Sequence, residues 1–398
     1  MKIAIINAVY GIMSTGRTYR ELHDFLVVQG HTCRVYYGEC KTDLSTDAIY
    51  VGNTVSHKWH ALMSRITGKV GCYSHHATRK LIKALKAYQP DVVHLGNLHG
   101  NFVHIPKLLR YLAKSKTPTV VTLHDCYFFT GGCTHYTLNN CFRWEDECRH
   151  CPHYKDFPAW FFDRSNYLFN YKKNLFNQNS SLGVIAVSEW LKNEALRSPI
   201  FKSAKDIRTI YNWIDTQTFS PQAGAQGEKS SSRPIVLGVS SVWSNQKGLG
   251  DFIDLANRLG NDATVMLVGN MPAETALPDN VVHIPATHST KDLAKHYAQA
   301  DVFVQLSKEE TFGKVVAESL SCGTPAVVYA STASPELVSD GCGIAVPPKE
   351  GVEGIYRAVT EVLSKGKEAF TASCRAKAKS SFQKDTNMQR ILEFYAKL

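Results

Sequence analysis

Two glutamates, Glu310 and Glu318, lie in the stretch of sequence with the most suggestive chemistry. Residues 306–329 read LSKEETFGKVVAESLSCGTPAVVY, which predicts a strand, a loop with Glu310, and a helix that opens at Gly313 and carries Glu318. A helix N-terminus offers unpaired N–H groups and a positive dipole end to phosphate, and a glycine allows close approach. Glu318 can accept hydrogen bonds from ribose hydroxyls. The stretch therefore predicts a nucleotide diphosphate sugar site, although acid pairs on helices are common.

The first half of the chain offers two further candidates, each at the end of a predicted strand. Gly11–Gly16 (GIMSTG) is a turn-rich loop that Arg17 follows. It is neither a P-loop nor a GxGxxG fingerprint, and it can equally be a tight strand-to-helix turn. His124-Asp125 follows the strand TVVTL. A histidine at a strand tip can donate to a sugar hydroxyl, or it can be a core histidine with satisfied hydrogen bonds.

A cysteine-rich segment, residues 126–153, follows His124-Asp125. Four of its cysteines have the spacing C-x7-C-x6-C-x2-C; they are Cys133, Cys141, Cys148 and Cys151. A CxxC pair chelates zinc well, and four thiolates can close a tetrahedral structural site. Spare ligands nearby are His135, His150 and His153. Free buried thiols or a disulfide pair are the alternatives to zinc.

The candidate site residues must be positioned by strands and helices, and the sequence pattern predicts two α/β domains. Short apolar strands alternate with helical patterns from Lys2 to about residue 220, and the alternation restarts at Ile235. Residues 221–233 are rich in Gly, Ser and Ala and read as a linker. The predicted domains are therefore 1–220 and 234–380, both doubly wound and Rossmann-like. A helix predicted over 381–398 covers one domain or bridges both.

Charge is uneven along the chain. The net charge is +10, and residues 1–220 hold 27 Lys and Arg against 16 Asp and Glu, a net charge of +11. A solvated surface explains this excess, and so does an anionic partner such as a membrane surface or a phospholipid-linked acceptor. Residues 157–176, FPAWFFDRSNYLFNYKKNLF, add aromatic side chains interleaved with Arg and Lys. That segment is either an amphipathic core helix or a contact with a lipid-linked acceptor or the membrane interface.

The combined segments resemble glycosyltransferase family 4. Glu310-x7-Glu318 within EETFGKVVAESLSCGTPAV looks like the donor-site signature of that family. Its pattern is also matched by the segments Gly11–Gly16, His124, Ser188-Glu189, Asn212–Asp215 (NWID), Gln246–Leu249 (QKGL) and Ala333–Val338 (ASPELV). Two positions depart from it: Val242 stands where the family usually has an arginine, and Trp213 where it usually has a glycine. Arg17 is a candidate substitute for the missing arginine.

The resemblance implies a GT-B fold, in which two Rossmann-like domains face a central cleft, and transfer with retention of anomeric configuration without a catalytic metal. The implied catalytic residues are His124, Glu310 and Lys247. Glu310 would contact the donor sugar, Glu318 the ribose and Lys247 the diphosphate. The implied donor-binding set is Gly16, Arg17, Lys247, Glu310, Thr311, Phe312, Gly313, Lys314, Val315 and Glu318. The implied acceptor-side residues are Ser14, Thr15 and Asp125.

The cysteine-rich segment narrows the resemblance to family members used in bacterial surface-polysaccharide assembly, where a zinc ion would be structural. The expected activity is transfer of a hexose from a UDP- or GDP-sugar to a saccharide acceptor, which we expect to be lipid-linked. The expected product belongs to the synthesis of capsule, O-antigen or exopolysaccharide. The N-terminus does not read as a signal peptide, and no run of about 18 apolar residues occurs. We therefore expect a cytoplasmic protein at the inner face of the cell membrane.

Two other function classes fit part of the sequence. A GT-B nucleotide-sugar epimerase would share the architecture and need no acceptor. A basic, zinc-containing nucleic-acid-binding protein would use the charge and the cysteines, but it leaves Glu310, Glu318 and Lys247 unexplained. We therefore expect no nucleic-acid partner.

Overall fold

The chain folds into two compact α/β units. The computed structural model describes residues 1–39, 47–155, 159–224, 233–287 and 289–398. The first unit comprises Met1–Ile210 together with Met388–Leu398, and the second comprises Tyr211–Asn387. Most of the predicted linker lies outside the described residues, as do Phe157 and Pro158 at the start of the aromatic segment. None of the helices formed by the described residues has both the length and the apolar character needed to cross a bilayer.

The described residues of the first unit form a seven-stranded parallel sheet. Its strands are β1 (Lys2–Val9), β2 (Thr32–Glu39), β3 (Ala48–Tyr50), β4 (Val92–Leu95), β5 (Thr119–Leu123), β6 (Leu182–Ala186) and β7 (Asp206–Thr209). They lie in the order β3-β2-β1-β4-β5-β6-β7. The central strands are buried on both faces; β5, for example, reads TVVTL with every residue buried, as a covered parallel sheet requires. The strand order reverses between β1 and β4, where such sheets bind ligands at their carboxyl edge.

Helices cover both faces of this sheet. They are α1 (Met13–Val28), α2 (Thr54–Thr67), α3 (His75–Tyr88), α4 (Ile105–Ser115), α5 (Ser165–Asn177) and α6 (Glu189–Arg197). Helix α4 has proline in its first turn, and the His104 side chain accepts a hydrogen bond from the Lys107 N–H, so its start is capped. Helix α5 takes up the second half of the predicted aromatic segment. It buries Leu168 and Phe169 while Tyr167 remains exposed.

The second unit repeats the pattern with a six-stranded parallel sheet in its described residues. Its strands are β8 (Ile235–Val242), β9 (Thr264–Asn270), β10 (Val281–Ile284), β11 (Val302–Gln305), β12 (Ala326–Tyr329) and β13 (Gly343–Val346). Their order is β10-β9-β8-β11-β12-β13. The order therefore reverses between β8 and β11, which places the segments that follow these two strands side by side at the carboxyl edge.

Seven helices belong to, or begin in, this unit among the described residues. They are α7 (Leu249–Leu259), α8 (Thr290–Gln299), α9 (Lys314–Ser321), α10 (Ser334–Leu337), α11 (Gly351–Lys365), α12 (Glu368–Ser381) and α13 (Lys384–Tyr395). Helices α7 and α11 bury Phe252 and Ile355 in one apolar core against the sheet. Because the two strand orders are equivalent, the two units are both Rossmann-like.

The unit boundaries differ from the predicted domain boundaries at both ends of the second unit. The first unit stops at Ile210 rather than at residue 220, because the following residues bond to the end of α12. The Ile214 N–H donates to the carbonyl of Phe382 at 2.7 Å, and the Arg375 guanidinium donates to the carbonyl of Phe219 at 3.0 Å.

Helix α13 starts in the second unit, and from Met388 onward it belongs to the first. The Tyr395 hydroxyl lies 2.5 Å from Nδ1 of the buried His94, and the Lys205 ammonium donates to the carbonyl of Leu398 at 2.9 Å. The predicted terminal helix therefore completes the core of the first unit.

Candidate functional site

An ion pair joins the segments that follow β8 and β11. The Lys247 ammonium donates to Oε1 of Glu310 at 2.6 Å, and the exposed fractions of the two side chains are 42% and 17%. Lys247 ends a short turn that Gly248 closes in the left-handed region, with φ at 77°. A side chain at Gly248 would meet the carbonyl oxygen of Leu306 at 2.4 Å, so only glycine lets this turn reach the end of β11.

The loop after β12 completes this edge. The Glu310 N–H donates to Oγ1 of Thr332 at 2.8 Å, and the Ala333 N–H donates to the Glu310 carbonyl at 3.2 Å. The segment Ala333–Val338 that sequence analysis singled out contains α10. Loops after three adjacent strands of the second sheet thus hold Glu310 from two sides.

Helix α9 opens beside Glu310. Its N-cap is Gly313, with φ at 90° and no side-chain cap, so the helix N-terminus has no side chain of its own placed over it. The positive φ explains the glycine, because a side chain would have room there but would strain the backbone. Lys314 and Val315 in the first turn are half-buried. This geometry suits phosphate oxygens, since the first N–H groups of a helix have no partner within it.

Thr311 and Phe312 lead into the helix. Thr311 is half-buried, whereas the Phe312 side chain is buried between the rings of Tyr211 and Phe382, with centroid distances of 6.0 and 5.5 Å. Phe312 therefore acts as an apolar anchor for the loop. Because its side chain is buried, Phe312 can contact a donor substrate only through its main-chain atoms.

Glu318 lies further along α9 and is 8% exposed. The Tyr297 hydroxyl, from α8, donates to Oε2 of Glu318 at 3.1 Å. Burial and the neighbouring Glu318 carboxylate raise the pKa of Tyr297 well above its usual value, so the phenol stays neutral and donates. Tyr297 was not predicted, because nothing in a helical residue 21 positions upstream marks it as the partner of Glu318.

His124 follows β5 in the first unit, at the carboxyl edge of the sheet. Its Nε2 lies 3.1 Å from the hydroxyl of Tyr19 on α1, and the two rings meet edge to face. Burial lowers the pKa of His124 to about 4, so the imidazole is neutral at pH 7. Tyr19 was not predicted; it lies on the buried face of α1 and orients the ring of His124.

Asp125 is largely committed to its own loop. Its Oδ1 accepts a hydrogen bond from the Tyr127 N–H at 2.9 Å, and its Oδ2 lies 3.6 Å from Nε2 of His99. These contacts fix the chain just after His124. The two contacts explain why a polar residue stands at this position even if Asp125 does not touch the acceptor substrate.

The segment Gly11–Gly16 was expected to be a loop, and this expectation is wrong for its second half. Helix α1 begins at Met13, so Ser14, Thr15 and Gly16 form its first turn. The Gly11 N–H donates to the Gly16 carbonyl at 2.9 Å, which folds the glycine-rich turn back on the helix.

Gly16 ends this first turn, and Arg17 begins the next. A side chain at Gly16 would approach the backbone of Val9 and Tyr10 at 3.2 Å, so glycine allows α1 to pack on the end of β1. Arg17 is exposed, and its Nε donates to the carbonyl of Met13 at 3.2 Å. Val242, the position where an arginine was expected, is 59% exposed at the end of β8.

The four predicted zinc ligands line one cavity, which we call the cysteine cavity. Its walls include Cys133, Cys141, Cys148, Cys151, Trp144 and Trp160. All four cysteines are free, and none of the three spare histidines is part of its described lining. Burial raises the pKa of Cys133 and Cys148 to about 12. As the side chains stand, no three His, Cys, Asp or Glu residues within the described ranges are arranged to hold a metal ion.

Known protein families match most of this chain. Residues 15–218 match the family model described as Glycosyltransferase Family 4, and residues 233–365 match the model described as Glycosyl transferases group 1. The Escherichia coli K12 protein WcaC, described as a putative colanic acid biosynthesis glycosyl transferase, is 22% identical over 320 residues, which cover 78% of this chain and 77% of WcaC. The N-acetyl-alpha-D-glucosaminyl L-malate synthase of Bacillus anthracis is 28% identical over 170 residues, 40% of this chain and 44% of that protein.

Solved structures share the fold. Sucrose-phosphate synthase from Thermosynechococcus elongatus has a TM-score of 0.71 at 17% identity, covering 100% of this chain and 98% of that one. The Anabaena protein Alr3699/HepE, solved in complex with UDP-glucose, has a TM-score of 0.67 at 16% identity and covers 100% of both chains. The two Rossmann-like units are those of a GT-B fold. Because one family model covers more than half of its length, the chain belongs to glycosyltransferase family 4.

Proposed function

We propose that this glycosyltransferase moves a hexose from a UDP- or GDP-sugar to a saccharide acceptor, with retention of anomeric configuration. The observation that carries the proposal is the Lys247–Glu310 pair beside the uncapped N-terminus of α9. A cation, a carboxylate and a helix N-terminus are the groups that a diphosphate sugar needs. The complexes of Alr3699/HepE with UDP and with UDP-glucose support a nucleotide-sugar donor.

The ion pair suggests how the donor is received. Lys247 and Glu310 neutralise each other in the ion pair. A diphosphate carries more negative charge than one carboxylate, so it attracts the lysine more strongly. Lys247 then turns to the diphosphate, and Glu310 is released to accept hydrogen bonds from hydroxyls of the donor sugar. Glu318, which Tyr297 holds in place, accepts from the ribose.

Stabilisation of the leaving diphosphate is the main catalytic contribution in this proposal. Negative charge grows on the diphosphate as the glycosidic bond breaks, and that charge is stabilised by the first N–H groups of α9 and by Lys247 once it has turned to the diphosphate. The acceptor hydroxyl attacks from the face that the diphosphate leaves, and the departing phosphate oxygen takes its proton. Retention then requires no separate general base, and these residues do the work without a catalytic metal.

His124 would serve the transferred sugar. Because its imidazole is neutral, one ring nitrogen donates and the other accepts, and Tyr19 fixes the ring. A neutral histidine can bind a sugar hydroxyl without adding charge to the reacting centre.

The acceptor is proposed to be a lipid-linked saccharide in surface-polysaccharide synthesis, such as capsule, O-antigen or exopolysaccharide. The relationship to WcaC supports the pathway class, since its description names colanic acid biosynthesis. A solved neighbour, WaaG, is described as a glycosyltransferase involved in lipopolysaccharide biosynthesis.

An exposed surface supports contact with a membrane that presents such an acceptor. Val55, Trp59, Leu62 and Ile66 recur on one face of α2 and are 77%, 59%, 50% and 38% exposed. We call this the α2 stripe. The exposed cations Lys58 and Arg65 lie on the same helix, and the Phe161 N–H donates to the Arg65 carbonyl, which brings another exposed ring to its end. Apolar side chains between cations are typical of an interfacial helix on an anionic bilayer.

The test of the donor site is a thermal-shift screen of the full chain against UDP, GDP, ADP, CMP and dTDP. We expect one diphosphate to raise the unfolding temperature, and Glu318→Ala to abolish the rise. Absence of any shift would contradict the donor site. Incubation of the matching nucleotide sugar without acceptor then separates transferase from epimerase, because only an epimerase converts the sugar.

The test of the membrane surface is co-sedimentation with vesicles of anionic or zwitterionic lipid. We expect binding to anionic vesicles that Trp59→Glu reduces several-fold, because a charge placed in the α2 stripe opposes insertion. Val282→Glu is the charge-matched control, because it also replaces an exposed apolar side chain, 45% exposed and in the second unit, and changes the net charge by the same single unit. Equal binding by wild type and Trp59→Glu would show that the stripe is not the contact.

A further inference from the structure

Two tryptophans in the wall of the cysteine cavity have indole N–H groups without a hydrogen-bond acceptor among the described residues. The two residues are Trp144 and Trp160, which are 1% and 5% exposed. A buried N–H without a partner is costly and uncommon, so each calls for an explanation. Two such groups on residues of one cavity favour an electron-rich acceptor there, such as a thiolate sulfur.

A buried cation adds to this pattern. Lys172 is 0% exposed, its ammonium donates to the carbonyl of Tyr127 at 2.5 Å, and its nitrogen lies 4.2 Å from the centre of the Tyr127 ring. A negatively charged group nearby stabilises a buried ammonium.

Hydrogen bonds already hold the chain at three of the four cysteines. The Gly131 N–H donates to Sγ of Cys148 at 3.1 Å, the type of contact that a sulfur bearing negative charge favours. The Thr130 hydroxyl donates to the carbonyl of Cys133 at 2.8 Å, and the Cys151 N–H donates to Asp163 at 2.8 Å. The segment has little regular structure of its own: its described residues form one short helical turn, Arg143–Glu145.

We propose that the four cysteines of the cysteine cavity bind one structural zinc ion that braces the loop after β5. Zinc binding would replace four S–H protons with four Zn–S bonds and release those protons to solvent. The resulting tetrathiolate carries two negative charges, which neutralise the buried Lys172 and accept from the indole N–H groups. Since the sulfur atoms do not yet surround a metal position, binding draws them inward by side-chain rotation. The ligand set, four thiolates without a carboxylate, is one that zinc prefers.

The proposal is independent of the donor site, which lies in the other unit. Zinc binding should stabilise the loop that follows His124, because Lys172 bonds to the carbonyl of Tyr127, three residues after His124. The negative charge of the zinc thiolate site favours the ammonium form of Lys172 and so strengthens that hydrogen bond. Loss of zinc should therefore loosen the loop without unfolding the second unit.

The test measures metal in the full chain, purified under reducing conditions without chelator. We expect about one zinc per chain by inductively coupled plasma mass spectrometry, and almost none in a Cys148→Ser, Cys151→Ser double variant. Cys126→Ser is the matched control, because Cys126 is buried in the same segment but is not among the residues lining the cavity. It should keep the zinc. Zinc that stays at wild-type level in the double variant would overturn the proposal.

A second measurement uses only the wild-type protein, in case the double variant fails to fold. Replacement of the metal by Co²⁺ should give the intense visible and near-ultraviolet bands of a tetrahedral cobalt thiolate site. Absence of both zinc and cobalt bands would overturn the proposal. A disulfide between Cys148 and Cys151, found by peptide mapping of protein purified without reductant and with no metal bound, would overturn it equally.

Discussion

Removing the charge of Lys247 should impair catalysis far more than it changes stability. Lys247→Met keeps most of the aliphatic stem and deletes the ammonium group that lies 2.6 Å from Glu310. The side chain of Lys247 is 42% exposed, so solvent screens the pair, and its contribution to the free energy of unfolding should be below about 1 kcal/mol. The unfolding temperature should therefore change by only a few degrees.

The catalytic effect should be much larger, because the lysine faces charge that grows in the transition state. Loss of one preorganised group of this kind costs about 3–4 kcal/mol, which corresponds to a fall in kcat/KM of roughly 10²–10³-fold. The assay is release of nucleoside diphosphate from the donor identified by the thermal-shift screen, followed with a coupled enzyme. Lys308→Met is the matched control, since this nearby lysine is exposed and should leave kcat/KM unchanged.

A double-mutant cycle with Glu310→Gln sharpens the prediction. If Lys247 and Glu310 act on the same donor, the double variant should lose less than the sum of the two single losses in free energy of activation. The reasoning would be refuted if Lys247→Met kept kcat/KM within about threefold of wild type. It would also be refuted if the loss in activity came with a large loss of stability, because the lysine would then be structural.

Three further outcomes follow from the polar partners of the site residues. Tyr297→Phe should weaken nucleoside diphosphate binding several-fold by calorimetry, because it leaves the buried Glu318 carboxylate without its phenol donor; an unchanged Kd would contradict the orienting role. Tyr19→Phe should lower kcat with little change in donor KM, since it frees the ring of His124; a loss confined to KM would argue against it. Stability should fall as pH drops from about 6.5 toward about 3. The reason is that burial lowers the pKa of His94 to about 3, so in that window the unfolded chain binds a proton that the folded chain does not. Chemical denaturation at pH 7 and pH 5 should show this loss, and His94→Gln should reduce it.

The sequence predicted the interior of both sheets well and the edges poorly. Central strands such as β5 are uniformly apolar, because both of their faces are covered. The unpredicted strands β3, β7 and β13 each lie at the edge of a sheet. Their residues are mostly half-buried, so their side chains follow neither a fully apolar run nor a clean alternation.

The donor-site prediction depended on local pattern, whereas the missed partners are distant in sequence. Glu310, Gly313 and Glu318 occur in one segment whose strand-to-helix turn can be inferred directly. The contact between Lys247 and Glu310 follows only from the strand order, which brings the ends of β8 and β11 together. Tyr297 and Tyr19 lie on helices, where an aromatic residue on a buried face reads as ordinary core.

The start of α1 was misplaced for a related reason. Glycines and small polar residues in Gly11–Gly16 are typical of a loop. In the structure, Gly16 is needed because α1 packs closely on the end of β1, and a close packing of this kind leaves no trace in a single sequence.

The return of α13 to the first unit has a consequence for how the protein is made. Residues 1–210 leave the ribosome long before Met388, yet Phe394 packs against Gly183 and Tyr395 bonds to His94 in their core. During synthesis the core of the first unit therefore stays incomplete, with that apolar surface exposed, until the whole second unit has been translated. A truncation that removes Met388–Leu398 should therefore destabilise the first unit rather than the second, which is translated later.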